Sequence, residues 1–188
     1  MEDGKAALFE RGVELASRFL TANQLTLPSF RNATADRSHR DKRYGVYDPN
    51  ARTVTVNAAR CRLPAIEPVR MWSYPGYKVD RTPYGVVCHE TGHHVHDTIK
   101  GGRSVLRELR EAVKGEKPLS GYEPNIGEVF AEAMRLFLTN PDLLRLGRPQ
   151  RYEFFLSLGL TPVLEDDWRE VLRDAHPRIQ QAAARWVA

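Results

Sequence analysis

With 188 residues, 41% of them hydrophobic and 28% charged, the chain has the size and composition of one globular domain with its own core, which sets it apart from disordered and fibrous classes. Two cysteines, Cys61 and Cys88, exclude both a disulfide framework and the paired CxxC clusters of a structural zinc site, and are expected to be reduced thiols. The net charge of +4 is concentrated between Arg31 and Arg81, where eleven Lys and Arg face five Asp and Glu; this excess could attract nucleic acid or another acidic partner, although no nucleic-acid motif accompanies it.

Residues Met1 to Leu20 carry Glu2, Asp3, Lys5, Glu10, Arg11, Glu14 and Arg18 among apolar positions, which predicts an amphipathic helix without the apolar core of an export signal. No apolar run approaches the roughly 18 residues of a membrane span, so no membrane association and a cytoplasmic location are expected. The polar, basic stretch Arg31 to Arg43 predicts a loop. Tyr44-Gly-Val-Tyr47 and Thr53-Val-Thr-Val-Asn57 flank the turn cluster Asp48-Pro-Asn-Ala-Arg52, a hairpin pattern with Val54 and Val56 on one face.

After a Pro/Gly-rich passage from Ser73, Thr82-Pro83 supplies an N-cap and a proline at the first helical position, predicting a helix to about Lys100, where Gly101-Gly102 can stop it. A charged helix is expected over Arg103 to Val113, a loop over Gly115 to Pro124, and a strongly apolar helix from Asn125 to about Asn140, ended by Pro141. Further helices are expected near Pro141 to Leu146, Pro149 to Leu158 and Pro162 to Val187. Without repeats or a linker, residues 1–188 read as a single α+β domain with few strands.

His89-Glu90-Thr91-Gly92-His93 is an HExxH motif inside a segment predicted helical on other grounds. Histidines at i and i+4 share a helix face, so two imidazole nitrogens can meet one zinc ion at about 2.0–2.1 Å. Glu90, one residue along, is badly placed to ligate but well placed to take a proton from a metal-polarised water, which makes it the expected general base. The continuation that would supply a third histidine is absent, because Ile99 stands in its place; His96 lies on the same face too far along the axis and is expected to be an outer-sphere or packing residue.

Glu128 and Glu132 share one face of the apolar helix, where buried carboxylates need a cationic partner. One would ligate the metal and the other would hold a ligand histidine, with Glu128 the expected ligand. Two plainer roles compete: Asn125 and Glu128 fit a capping pair, and Glu132 is spaced to bridge to Arg135.

The stretch Leu119-Ser-Gly-Tyr122, followed by Asn125-Ile-Gly-Glu128-Val-Phe-Ala-Glu132-Ala-Met-Arg135-Leu, resembles the zinc-binding second half of anthrax lethal-factor-like metallopeptidases, a branch of the gluzincin zincins, and the HETGH helix resembles their first half. The similarity spans about residues 83–138. It implies a zincin-like fold, zinc held by His89, His93 and Glu128, Glu90 as base, Glu132 behind the ligands, and Tyr122 offering its hydroxyl near the metal, where it could stabilise an oxyanion. It also implies an edge strand that binds an extended peptide by strand addition, for which Thr53, Val54, Thr55, Val56 and Asn57 are the candidates.

The expected function is thus zinc-dependent hydrolysis of peptide or protein substrates. An inactive or accessory binding protein on the same scaffold, holding nucleic acid or an acidic partner through residues 31–81, is the alternative, and a structural component with a vestigial site is a third. His94 and Asp97 are candidate outer-sphere partners, Cys88 a small core residue, and Trp72, Trp168 and Trp186 packing anchors.

Overall fold

The computed structural model describes residues 2–33, 43–63, 79–100 and 102–164, together with residues 181 and 184. Most of the helix expected from Pro162, most of the Pro/Gly-rich passage from Ser73, much of the basic 31–81 stretch, and Trp72, Trp168 and Trp186 lie outside the described residues. Within them the fold is mixed α+β, with six helices and one three-stranded sheet.

Helix α1 (Glu2–Ala22) buries Leu8, Leu15, Ala16, Phe19 and Leu20, the single face its apolar spacing prescribes. Strands β1 (Ser29–Asn32), β2 (Gly45–Asp48) and β3 (Thr53–Val56) form the sheet in the order β1-β3-β2. The predicted hairpin is β2–β3, paired antiparallel with Tyr47 opposite Val54. Its turn is held by the Asp48 carboxylate, whose Oδ1 accepts from the backbone amides of Asn50 and Ala51 at 2.9 and 3.2 Å.

The sheet corrects two expectations. Arg31 and Asn32 belong to β1, which pairs parallel with β3, so the loop expected from Arg31 begins later. This strand escapes pattern reading because Phe30 is its one apolar residue and its pairing partner lies more than twenty residues away. Its presence places Thr53 to Asn57 at the centre of the sheet, with the β3 ladder occupied on both sides, so the segment expected to be an open edge has none to offer. The sheet's edges are β1, which contacts α1, and β2, which contacts the helix Pro83–Thr98.

Helix α2 (Pro83–Thr98) starts as predicted. Thr82 Oγ1 accepts from the Gly85 amide at 3.0 Å and donates to Asp80 at 2.8 Å, with Pro83 in the first turn. It is buried on most of its circumference, with Val86, Val87, Cys88, Thr91 and Val95 all inaccessible or nearly so, because it runs between the sheet, α1 and α4. Helix α3 (Arg103–Ala112) follows, and α4 (Ile126–Thr139) opens on Asn125, whose side-chain oxygen accepts from the Glu128 amide at 3.1 Å. Helices α5 (Pro141–Gly147) and α6 (Pro149–Ser157) close the core through Phe155, which meets Phe130 and Phe137 at ring distances of 5.2 and 5.1 Å.

Among the described elements α2 packs most broadly on α4, and Gly92 is a point of close approach between them. A Cβ there would stand 2.8 Å from the Ala131 Cα and 3.1 Å from its carbonyl oxygen, so two backbones meet where a methyl group does not fit. Gly92→Ala is expected to cost about 1–3 kcal/mol of overpacking strain, partly offset by roughly 1 kcal/mol of better helix propensity. A lowered midpoint of chemical unfolding at unchanged slope would register the net loss.

Candidate metal centre

Three side chains predicted to meet do so. The Nε2 atoms of His89 and His93, one turn apart on α2, face Glu128 Oε2 from α4 at 3.1 and 3.5 Å. A tetrahedral ion with bonds of about 2.0–2.1 Å sets its ligand atoms roughly 3.3–3.4 Å apart, so this triangle has the size of one face of such a site. Glu128 Oε2 is buried and has no well-formed hydrogen bond, as expected of a lone pair aimed at a cation. The ligand atoms of these three residues all lie within 4.8 Å of one another, and among the described residues no other group of His, Cys, Asp and Glu meets this criterion. Two imidazole nitrogens and one carboxylate oxygen are a donor set that a zinc ion would accept.

Behind them, His89 Nδ1 donates to Glu132 Oε1 at 2.8 Å. The carboxylate accepts only, so Nδ1 carries a proton in this bond and Nε2 is the ring nitrogen that faces Glu128. Both plainer roles considered for α4 are filled as well: Asn125 caps the helix, and Arg135 grips Glu132 with two bonds, Nε to Oε1 at 3.2 Å and Nη2 to Oε2 at 3.0 Å. Burial opposes the charge on Glu132, but Arg135 and His89 more than offset it and hold the carboxyl far below its ordinary range. Burial likewise opposes ionisation of Glu128, and the two imidazoles bring it down to about 2. His89, although buried, is raised to about 9 by its hydrogen bonds to Glu128 and Glu132.

Glu90 is 8% exposed, on the cleft side of α2. Burial raises its pKa, opposed by His89 and His93, and the Tyr47 backbone amide donates to its carboxylate. That amide lies on the outer edge of β2. Asn57 N–H bonds Tyr44 O at 2.9 Å, and alternation along the antiparallel pair turns Gly45 and Tyr47 outward. Gly45 fits against Glu90, since a Cβ there would lie 2.9 Å from Glu90 Oε1 and 2.5 Å from Val86 Cγ1.

Tyr122 overhangs the centre, with its ring centroid 6.0 Å from that of His89 and the residue 46% exposed. Burial and the charges of Glu128, Glu90 and Glu132 push its phenol upward, so it remains a hydrogen-bond donor. Its loop is anchored from α6. Arg151, 2% exposed, bonds Glu116 at 2.9 Å and Glu123 at 2.8 and 3.1 Å, and Glu123 accepts from the amides of Leu119 and Ser120. Tyr122, Gly45 and Glu90, with the three converging side chains, border a cleft of about 680 Å³ that also takes in Arg43, Tyr44, Tyr47 and Arg81.

Other candidates have different partners, although His96 and Asp97 also line the cleft. Among the described residues His96 has no hydrogen bond to either histidine and its buried Nε2 meets no partner; its ring rests on Phe130 at 5.7 Å, a packing contact. His94 Nε2 donates to the Thr26 carbonyl at 2.6 Å, and Asp97 accepts from the Tyr47 hydroxyl at 2.9 Å, which ties α2 to its neighbours rather than to the centre. Thr53, Val54, Thr55, Val56 and Asn57 do not border the cleft. Cys88 is a fully buried core residue.

Pattern reading missed Gly45, Gly92 and the Arg151 anchor. A small residue between the two histidines was the only available sign of close helix contact, and nothing local marks the other two. Compared with protein-family models, curated proteins and solved structures, the chain matches none. Arg135→Met, which leaves the Glu132 charge buried beside His89 alone, is expected to cost about 3–5 kcal/mol in chemical unfolding.

Proposed function

We propose that this chain is a zinc-dependent metallopeptidase, a single zincin-like domain of the gluzincin type, similar to the lethal-factor-like enzymes. The observation that carries the proposal is the spacing of His89, His93 and Glu128 Oε2 at 3.1 and 3.5 Å, with the Glu90 carboxylate beside them in an open cleft. A zinc ion held by His89, His93 and Glu128 would supply Lewis acidity, lowering the pKa of bound water toward about 7 and polarising a carbonyl.

The chain's own groups account for the proton movements. Glu90 takes a proton from the attacking water as its oxygen bonds the scissile carbon, then passes that proton to the leaving amine as the C–N bond breaks. The Tyr122 hydroxyl donates to the carbonyl oxygen as negative charge develops there. Glu132 keeps the His89 ring oriented, and Arg135 keeps Glu132 ionised. An extended peptide is accommodated along the outer edge of β2 at Gly45, adjacent to Glu90, in place of the central strand β3.

Metal analysis by mass spectrometry of protein never exposed to chelator is expected to find one zinc per chain, largely lost in Glu128→Ala; full occupancy in that variant would remove Glu128 as a ligand. On a degenerate peptide mixture, Glu90→Gln is expected to lower turnover by about 10²–10⁴ while retaining zinc. Gly45→Ala, which displaces the base without touching a ligand, should reduce kcat at unchanged zinc content. Equal turnover by Glu90→Gln and wild type would end the proposed mechanism.

A further inference from the structure

One end of the cleft carries positive charge that the hydrolytic chemistry does not use. The Arg81 guanidinium carbon lies over the Tyr44 ring, 5.4 Å from its centroid, and both residues border the cleft together with Arg43. A guanidinium laid on an aromatic face is held in orientation by cation–π attraction while its in-plane N–H donors stay available for a two-pronged bond to a carboxylate. Among the described residues no carboxylate stands within ion-pair distance of Arg81.

The far end of β2 differs. There Asp97 receives the Tyr47 hydroxyl, three residues along an extended chain from Tyr44, or about 10 Å. Glu90 lies in the same cleft, and beside Arg81 the Asp80 carboxylate is engaged by the Thr82 amide and hydroxyl at 2.9 and 2.8 Å. Gly45, which touches Glu90, is the immediate neighbour of Tyr44. A peptide extended along β2 with its scissile bond at Glu90 therefore brings a side chain one or two residues away beside Arg81.

We propose that Arg81, laid on Tyr44, forms a subsite for the side-chain carboxylate of an aspartate or glutamate in the substrate, one or two residues from the bond cleaved. The subsite deepens the metallopeptidase function and rests on it. It also assigns a role to part of the basic excess between Arg31 and Arg81, which the catalytic motif leaves unexplained.

The test uses fluorescent degenerate peptides with Glu, Gln or Lys fixed at successive positions. Binding is read by anisotropy on zinc-loaded Glu90→Gln, and hydrolysis on wild type. At one position Glu is expected to outperform Gln by about tenfold in both affinity and kcat/KM. Combining Arg81→Ala with the Glu90→Gln background should abolish this difference at unchanged zinc content, Arg81→Lys should keep part of it, and Arg81→Glu should shift the preference to Lys.

Equal treatment of Glu and Gln peptides by the parent proteins, or a preference that survives Arg81→Ala, would overturn the subsite while leaving hydrolysis intact. Selective binding that depends on Arg81, with no hydrolysis by zinc-loaded wild type, would sustain the subsite and overturn the peptidase function. Failure of both proteins to bind or cleave any peptide would overturn the two together.

Discussion

The arrangement of the candidate centre depends on how closely α2 and α4 approach. The two histidines come from one helix and the glutamate from another, so the helix separation at Gly92 sets whether a two-histidine, one-carboxylate triangle can close. Gly92 lies between His89 and His93 in the chain, and its missing side chain lets the Ala131 backbone pack against α2. One turn before Ala131, Glu128 is thereby brought beside both imidazoles, and Glu132 reaches behind His89. Close-packed interiors transmit small displacements, so a shift of a few tenths of an ångström at Gly92 would be felt at every ligand.

Charge is ordered outward from the same contact. Fully buried Arg135 neutralises Glu132, Glu132 orients His89, and His89 faces Glu128. A buried charge is tolerable only when paired and hydrogen-bonded, which explains how an acid and an arginine coexist inside a helix otherwise lined by Phe130, Met134, Phe137 and Leu138. Among the described residues Glu90 and Glu128 have no guanidinium partner of this kind. That remaining negative charge is what a divalent cation would complement, and it gives the paired acids of α4 different environments although they lie one turn apart.

The cleft is assembled from segments distant in sequence. Strand β2 supplies Gly45 and the Tyr47 amide to Glu90, α6 supplies Arg151 to the loop bearing Tyr122, and the residues ahead of α2 supply Arg81 to Tyr44. In the first two cases the supporting group is backbone or deeply buried, which restricts motion around the base and leaves Tyr122 as the exposed element above the centre.

The sequence by itself determined the local elements and the identity of the converging residues. Thr82-Pro83 starts α2, Asn125 starts α4, Pro141 follows its end, and the hairpin is written in Val54, Val56 and the Asp48 turn, because caps, turns and periodicity act over a few residues. The i, i+4 spacings of His89 with His93 and of Glu128 with Glu132 likewise translate directly into shared helix faces. Tertiary structure alone decided the rest. Strand β1 pairs in parallel across a long connection and turns Thr53 to Asn57 from an expected edge into the sheet's centre. His94, His96 and Asp97, equally plausible on the helix, were directed to Thr26, Phe130 and Tyr47 by what packs around them. Long-range pairing and close backbone approach depend on the whole packed chain, and a pattern read over one or two turns contains no information about it.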